Sequence, residues 1–285
     1  MSRIQWVAGV PVQIDEPAAG AARDTVLMLH GWPDTSALWD GTVAALATHH
    51  RCLRFTWPGF GADDPPGAHT LANLVVLLHQ VVQEVAGGPV TLLAHDWGCV
   101  FGYHFAQRHP ALVTRVIGVD IGDAASAAHR SELTLKAKLM VLAYQGWLAL
   151  AWRTGGALGD RMARRCAAVL RVPTPAAKIR AQMGYPYWIT WTGTQGSYRA
   201  LRPFDPVVPM LFIYGARKPF MFHSEAWAQA LAQRPGNRVL ALRCGHWVMV
   251  DKAAEFEAAV RDWLDAPKVN ACASSGRPSG CAPEP

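Results

Sequence analysis

The sequence has no apolar run long enough to cross a lipid bilayer. The longest, Leu139–Trp152, holds 14 residues and is interrupted by Gln145, whereas a membrane-spanning helix needs about 20. The N-terminal stretch Met1–Pro17 also lacks the apolar centre of a secretory signal. These absences predict a cytoplasmic protein without a membrane span.

Cysteine is sparse and scattered. The six cysteines include no C-x-x-C pair, which argues against both a disulfide framework and a zinc site. The sequence also has no cluster of metal-ligand residues and no glycine-rich phosphate loop. We therefore expect neither a metal nor a cofactor.

Charged residues are few, at 17% of the chain, and they are unevenly distributed. The net charge is +6, yet no lysine- and arginine-rich run is interleaved with aromatics, so we expect no nucleic-acid partner. Between residues 130 and 180, ten lysines and arginines stand against only Glu132 and Asp160. Such a segment is typical of a solvated helical face. Alternatively, it guides an anionic substrate or touches an anionic surface.

Apolar residues make up 51% of the 285 residues, which is enough for a sizeable core. After an N-terminal strand pair that turns at Gly9, short apolar runs alternate with stripes of helical spacing. This alternation predicts a parallel sheet with helices on both faces. The predicted strands are Thr25–Leu29, Arg51–Phe55, Val90–Ala94 and Thr114–Val119, and a helix is predicted at Cys99–Arg108.

The alternation breaks after residue 123. Residues 124–203 are rich in tryptophan, are punctuated by glycine and proline, and have a helical pattern without a clear strand. Beyond them the alternation resumes, with strands at Val208–Tyr214 and Arg238–Leu242 and helices at His223–Gln233 and Lys252–Leu264. We predict an α/β core from residues 1–123 and 204–265, with a helical cap, residues 124–203, inserted after the sixth strand. Residues 266–285 lack periodicity and are predicted to form a disordered tail.

One pentapeptide carries the sharpest chemical signal. An apolar strand runs into Ala94-His95-Asp96-Trp97-Gly98 and then into a helix, and the small residues at either end let a tight turn close. This pattern is typical of a nucleophile elbow, which presents its apex to the cleft at the carboxyl ends of the strands. The apex here is Asp96. The alternative interpretation is an aspartate that caps the following helix.

Two further motifs lie where a nucleophile at Asp96 would need them. His30-Gly31-Trp32-Pro33 follows a predicted strand, in the loop that supplies one backbone N–H of an oxyanion hole. The donors would be the N–H groups of Trp32 and Trp97. His246 lies between the last predicted strand and the last predicted helix, which suits a general base. An ordinary turn and a structural histidine are the alternatives.

Together these residues resemble the α/β-hydrolase superfamily, and within it the branch of epoxide hydrolases and haloalkane dehalogenases. The resemblance rests on H-G-W-P at residues 30–33, P-G-F-G at 58–61, H-D-W-G at 95–98 and G-H-W at 245–247. It implies an α/β-hydrolase fold, with a mostly parallel eight-stranded sheet flanked by helices and a helical cap after strand 6. It also implies that Asp96 forms an ester with an electrophilic carbon and that His246 activates the water that hydrolyses this ester.

The resemblance favours an epoxide as the substrate. Epoxide opening leaves an alkoxide that needs a proton, and the family supplies it from two cap tyrosines. Tyr144 and Tyr198 lie in dipeptides similar to the family's tyrosine motifs, and Tyr185 and Tyr187 are rival donors. The alternative is that these tyrosines are packing aromatics.

A dehalogenase would instead need donors that hold a halide, and Trp97 fits that role. The usual second ligand in such relatives is an asparagine or an additional cap tryptophan, whereas the H-G-x-P position here is Trp32. We therefore expect a small apolar epoxide, with a haloalkane or haloacid as the alternative. The residues expected to contact it are Trp32, Trp97, Tyr187 and Trp247. The oligomeric state is left open.

The acid that would orient His246 is missing from its usual place. Most relatives carry an aspartate after the strand that matches Val208–Tyr214, and this chain has Lys218 there. Some members of the branch carry the acid after the preceding core strand, where this chain has Asp120, with Asp123 as the alternative. Glu225 fits the start of a helix better. Because of Lys218, a catalytically weak relative with a binding role stays open beside an active hydrolase.

Overall fold

The computed structural model describes residues 2–17, 22–124 and 126–267, and these form one mixed sheet with helices on both faces. The eight strands lie in the order β1-β2-β4-β3-β5-β6-β7-β8. The α/β fold with a mostly parallel eight-stranded sheet is therefore confirmed. The strands are β1 (Ser2–Val7), β2 (Val10–Asp15), β3 (Thr25–Leu29), β4 (Arg51–Arg54), β5 (Val90–His95), β6 (Val113–Val119), β7 (Met210–Gly215) and β8 (Arg238–Leu242).

The predicted N-terminal strand pair is a hairpin at one edge of the sheet. Strands β1 and β2 pair antiparallel, β2 pairs antiparallel with β4, and all other pairs are parallel. Ala8 and Gly9 both have positive φ, at 48° and 79°, which is the backbone that a two-residue hairpin turn requires.

The helices that follow the strands agree with the predicted pattern to within a few residues at each end. One difference lies beside the pentapeptide, where the helix begins at Trp97 rather than at Cys99, directly after the turn at Asp96. The helices of the core are α1 (Asp40–Leu46), α2 (Leu71–Gln80), α3 (Trp97–Arg108), α8 (Glu225–Ala232), α9 (Val248–Asp251) and α10 (Ala253–Asp265).

Four further helices lie between β6 and β7. They are α4 (Ala127–Glu132), α5 (Leu135–Thr154), α6 (Gly156–Val169) and α7 (Tyr185–Thr192), and we call them the inserted helices. Thr134 caps the start of α5 by accepting a hydrogen bond from the Ala137 N–H. Gly155 and Gly156 both have positive φ, so the chain reverses there and α6 packs back against α5. The division into core and cap at residues 124 and 203 stays a prediction.

Apolar side chains form one layer on each face of the sheet, and the buried central strands contribute side chains to both layers. Leu92 on β5 packs into one layer, and the next residue, Leu93, packs into the other. Strands that are buried on both faces read as continuous apolar runs, which is why β3 and β5 were visible in the sequence. This burial fixes the carboxyl ends of β3, β5 and β6 side by side, and the site lies there.

Several expected absences can be compared only with the described part of the chain. None of its helices has the length and apolarity to cross a membrane. Within the same residues, no group of three or more histidines, cysteines or acids could hold a metal ion. Cys52, Cys99, Cys166 and Cys244 are free thiols. The predicted tail at residues 266–285 lies outside the described residues from 268 onward.

Candidate active site

Asp96 occupies a strained turn between β5 and α3. Its φ of 51° and ψ of −123° lie in a region that side-chain-bearing residues rarely adopt. The turn is possible because its neighbours are small: a Cβ at Gly98 would lie 2.3 Å from the Leu29 carbonyl oxygen. A Cβ at Gly31 would lie equally close to the Asp96 carboxylate. The two glycines of the motifs therefore allow the β3 loop to approach the turn.

The Asp96 carboxylate divides its two oxygens between different partners. The Trp32 N–H donates to Oδ2 over 2.7 Å, and the backbone N–H of Trp97 also donates to the carboxylate. Burial raises the pKa of Asp96, while His246 and the two backbone N–H groups oppose that rise. Two backbone N–H donors on one carboxylate, from the loop after β3 and from the residue after Asp96, are the groups that an oxyanion hole needs.

The other oxygen of Asp96 faces His246. His246 Nε2 lies 3.8 Å from Asp96 Oδ1, and His246 Nδ1 is hydrogen-bonded to Asp120 Oδ2. The His246 ring is also held from the side by His95, with ring centroids 4.4 Å apart, and the His95 Nε2 is bonded to the His246 carbonyl. The structure thus brings Asp96, His246 and Asp120 together in the order of a catalytic triad.

Asp120 is fully buried at the end of β6. Its Oδ1 accepts hydrogen bonds from the Gly215 N–H, over 2.9 Å, and from Lys218 Nζ. Burial alone would raise the pKa of Asp120, but the charges of Lys218 and His246 hold it well below its usual range. Lys218, which replaces the usual acid, therefore forms an ion pair with the relocated one.

Asp123, the alternative to Asp120, points elsewhere. Its carboxylate accepts hydrogen bonds from the Ser224 N–H at 2.6 Å, the Ser224 hydroxyl at 2.7 Å and the Ser126 hydroxyl at 2.6 Å. It therefore ties the start of α8 to the chain that follows β6, and the interpretation of Asp123 as the partner of His246 is wrong on geometry. Glu225 lies in the first turn of α8, as expected.

A cavity of about 1250 Å³ opens above Asp96 and His246. It extends between the carboxyl ends of the strands and the inserted helices. Its wall is mainly apolar and aromatic, and it contains three of the four residues expected to contact substrate. The lining nearest to Asp96 includes Trp32, Tyr144, Tyr187, His246 and Trp247.

The structure corrects the pairing of tyrosines. Tyr144 and Tyr187 line the cavity, with ring centroids 6.2 Å apart, and Tyr187 also meets the edges of Trp32 and Trp97. Tyr198 instead packs against the ring of Trp97, and its hydroxyl has no hydrogen-bond partner among the described residues. The expectation that Tyr198 faces the substrate is therefore wrong.

The positions of the Trp97 and Tyr185 side chains also differ from those predicted from the sequence. The Trp97 side chain lies outside the cavity lining found in the described chain, packed at 5.8 Å from the Tyr198 ring. The Trp97 side chain is hydrogen-bonded to Tyr187, which lines the cavity, and its contact with substrate stays a prediction. Its backbone N–H is where it was expected. Tyr185, the remaining rival donor, is buried against Phe60 and His69. Sequence spacing cannot distinguish these aromatics, because tertiary packing decides which side chains face the cavity.

Asp34 is a buried acid that belongs to none of the sequence motifs. Its Oδ2 accepts a hydrogen bond from the Trp247 indole N–H over 2.9 Å, and its Oδ1 accepts one from the Thr174 hydroxyl. Asp34 therefore joins the loop after β3 to the segment between α6 and α7 and to the residue after His246. The signal available in the sequence was its place directly after His30-Gly31-Trp32-Pro33.

The raised pKa of Asp34 predicts how the free energy of unfolding depends on pH. Burial raises its pKa from 3.8 to about 6, so the folded state binds more protons than the unfolded state between these values. Stability is therefore lost as the pH rises through this window. Asp34→Asn keeps an acceptor for Trp247 but does not titrate. The free energy of unfolding of Asp34→Asn minus that of the parent should therefore increase by about 1 to 2 kcal/mol when the pH is raised from about 5 to about 8.

Urea unfolding of both proteins at the two pH values measures this difference. Asp63→Asn, which removes an exposed carboxylate that has no hydrogen bond or ion pair in the described chain, is the matched control and should leave the pH dependence as it is in the parent. Parallel pH profiles for the parent and Asp34→Asn would show that Asp34 does not titrate in this window.

Comparison with known proteins agrees with this geometry. The model of the alpha/beta hydrolase fold family matches residues 24–253, a range that includes Asp96, Asp120 and His246. The chain belongs to the α/β-hydrolase fold family. Its relatives include proteins named epoxide hydrolase and haloalkane dehalogenase, the two classes that the sequence motifs resemble.

The relatives match this α/β-hydrolase over part of their length. A protein of Mycobacterium tuberculosis named probable oxidoreductase EphD is 39% identical over 88 residues, 30% of this chain and 15% of that protein. Epoxide hydrolase 2 of Caenorhabditis elegans is 31% identical over 35% of this chain and 28% of its own. A haloalkane dehalogenase of Mesorhizobium japonicum is 32% identical over 35% and 32%. The chain thus spans a third or less of these relatives.

A solved structure extends the likeness of this α/β-hydrolase to nearly the whole fold. A variant of an epoxide hydrolase from Bacillus megaterium superposes with a TM-score of 0.70 at 19% identity. The superposition covers 93% of this chain and all of the other. At this identity the likeness establishes the fold alone.

Proposed function

We propose that this α/β-hydrolase opens an epoxide and releases a diol through an ester on Asp96. Asp96 Oδ1 attacks one carbon of the epoxide, a carbon–oxygen bond of the ring breaks, and the alkoxide takes a proton from Tyr144 or Tyr187. The observation that carries the proposal is the placement of Asp96 at the cavity wall, with Oδ2 on the Trp32 N–H and Oδ1 facing His246. A carboxylate held in this way can act as a nucleophile at carbon.

The second half of the proposed reaction uses His246. Its Nε2 takes a proton from water, and the resulting hydroxide attacks the Asp96 ester carbonyl. The negative charge that develops on Oδ2 is stabilised by the N–H groups of Trp32 and Trp97. Asp120 stabilises the charged imidazole, and the diol leaves with the former Oδ1, which takes the proton from His246. The proton that remains on the Asp96 carboxyl then returns to the tyrosinate left by the first step.

Two buried phenols support epoxide opening over other chemistry at this site. Burial raises the pKa of Tyr144 and of Tyr187, and the charge of Asp96 raises both further. Both hydroxyls therefore carry their protons at neutral pH, and either can protonate an alkoxide because an alkoxide is a stronger base than a phenolate. The Gln145 amide donates to the Tyr144 hydroxyl over 3.0 Å, which leaves the phenol proton available for an alkoxide.

The tyrosines provide a prediction that separates the two chemistries. Replacing both Tyr144 and Tyr187 with phenylalanine should lower kcat/KM for styrene oxide roughly 10²-fold or more, the usual contribution of a general acid. Activity on 1-bromobutane, if the enzyme has any, should fall far less, because a halide leaves without a proton. Tyr198→Phe, outside the cavity, is the matched control and should retain the parent's activity. Equal activity of the double variant and the control on the epoxide would contradict this role.

One observation favours haloalkane dehalogenation as a second candidate. The Trp32 indole N–H is buried, borders the cavity and has no hydrogen-bond partner among the described residues. An unpaired buried donor is costly, and a halide leaving Asp96 would satisfy it. Parallel assays on styrene oxide and 1-bromobutane, read as diol and as bromide, distinguish the candidates. Diol alone supports the epoxide proposal, and bromide alone replaces it with dehalogenation.

A further inference from the structure

The inserted helices expose an unusual amount of apolar surface. Of the 15 large apolar side chains that are exposed in the described chain, nine lie between residues 135 and 170. Four of them, Leu135, Leu139, Leu142 and Leu150, are 49 to 73% exposed on α5. Scattered exposed leucines need no explanation, but a contiguous group on one helix does.

The spacing of these leucines places them on one stripe. They follow the i, i+4, i+7 pattern, extended by two turns to Leu150, so they share a single face of α5. Leu148 and Ala151, on the opposite face, are buried against the rest of the protein. The helix is therefore apolar both toward the protein and toward solvent, and the outer face has the composition of a buried one.

Positive charge flanks this stripe. Lys136 and Lys138 lie at its N-terminal end and Arg153 lies at its C-terminal end, and all three are exposed and without a salt bridge within the described chain. They belong to the segment 130–180, whose ten lysines and arginines outnumber its two acids. Exposed leucines can enter the headgroup boundary of a bilayer, and lysine and arginine beside them can bind anionic lipid.

We propose that this outer face of α5 docks on an anionic lipid bilayer, with its leucines in the headgroup boundary and its lysines on lipid phosphates. A second copy of the chain is a poor occupant, because a symmetric contact would bring two strongly positive segments together. Trp147, Val169 and Leu170 are also exposed and line the cavity, and Trp147 lies on a different face of α5 from the leucine stripe.

Sedimentation with vesicles tests the docking independently of catalysis. The full chain should sediment with vesicles of phosphatidylcholine and phosphatidylglycerol, sediment far less with phosphatidylcholine alone, and dissociate as salt is raised. Leu139→Gln with Leu142→Gln should reduce the partition coefficient roughly tenfold or more. Lys136→Glu with Lys138→Glu should do the same. Val76→Gln on α2 removes an exposed side chain like Leu139 and should bind as the parent does.

Two results would overturn the proposal. One is equal sedimentation of the parent and the leucine variants with anionic vesicles. The other is a concentration-dependent dimer in analytical ultracentrifugation that the leucine variants abolish, because the face would then belong to a second copy. Neither result bears on the ester mechanism, which is assayed on a water-soluble epoxide, and failure of that mechanism would leave vesicle binding intact.

Discussion

The His246→Gln variant should stop after the first half of the reaction and accumulate an ester on Asp96. Glutamine fills much of the same space but cannot take a proton from water, while Asp96 Oδ1 stays free to attack the substrate. Turnover should fall roughly 10²- to 10⁴-fold, the usual contribution of a general base. Intact-protein mass spectrometry after incubation with styrene oxide should show the added mass of one substrate, and peptide mapping should place it on Asp96.

The matched control for the accumulation of this ester is Asp96→Asn. It keeps the shape of the turn but removes the nucleophilic carboxylate, so it should show neither turnover nor added mass. The double variant Asp96→Asn with His246→Gln should also stay unmodified. An adduct on another residue, or normal turnover by His246→Gln, would contradict the proposed division of labour between Asp96 and His246.

Asp120→Asn should be the other severe variant. Asp120 holds His246 Nδ1 and, through its negative charge, stabilises the imidazolium that forms when water is activated. The neutral amide cannot do the latter and also leaves the buried Lys218 without a counter-charge. We expect kcat for diol release to fall roughly 10²- to 10⁴-fold, with ester formation in a single turnover affected far less. Stopped-flow and acid-quench measurements separate these two steps.

Two further variants test whether the loss of activity is specific to the Asp120 carboxylate. Asp123→Asn, whose carboxylate binds Ser126 and Ser224, should lower stability but keep the activity of the folded protein. Lys218→Met with Asp120→Asn removes the unpaired charge and should recover stability while staying inactive. If the double variant regains the parent's rate, Asp120 serves only to neutralise Lys218. Equal activity losses in Asp120→Asn and Asp123→Asn would remove Asp120 as the orienting acid.

The core of the fold could be predicted because its strands are buried on both faces. Strands β3 and β5 are short apolar runs bounded by glycine or polar turns, and burial leaves few other structures for such runs. The pentapeptide around Asp96 was equally informative, since only small residues at Gly31 and Gly98 permit the close approach. Helix ends were less certain, because caps and tight turns shift them by a few residues.

Other parts of the site could not be read from the sequence. Tyr144, Tyr187 and Tyr198 look alike as residues, and only the folded path of the chain between β6 and β7 decides which of them reach the cavity. The role of Lys218 was equally hidden, because its partner Asp120 lies 98 residues away along the chain. Asp34 was missed for a similar reason: its partners Trp247 and Thr174 come from distant segments.

A single turnover in water labelled with oxygen-18 tests the ester on Asp96 most directly. With enzyme in excess over epoxide, the proposed mechanism puts an unlabelled oxygen from Asp96 into the diol. The labelled oxygen from water should then be found in the Asp96 carboxylate of the digested protein. A labelled diol together with an unlabelled Asp96 would mean that water attacks the epoxide itself, and the covalent mechanism would be wrong.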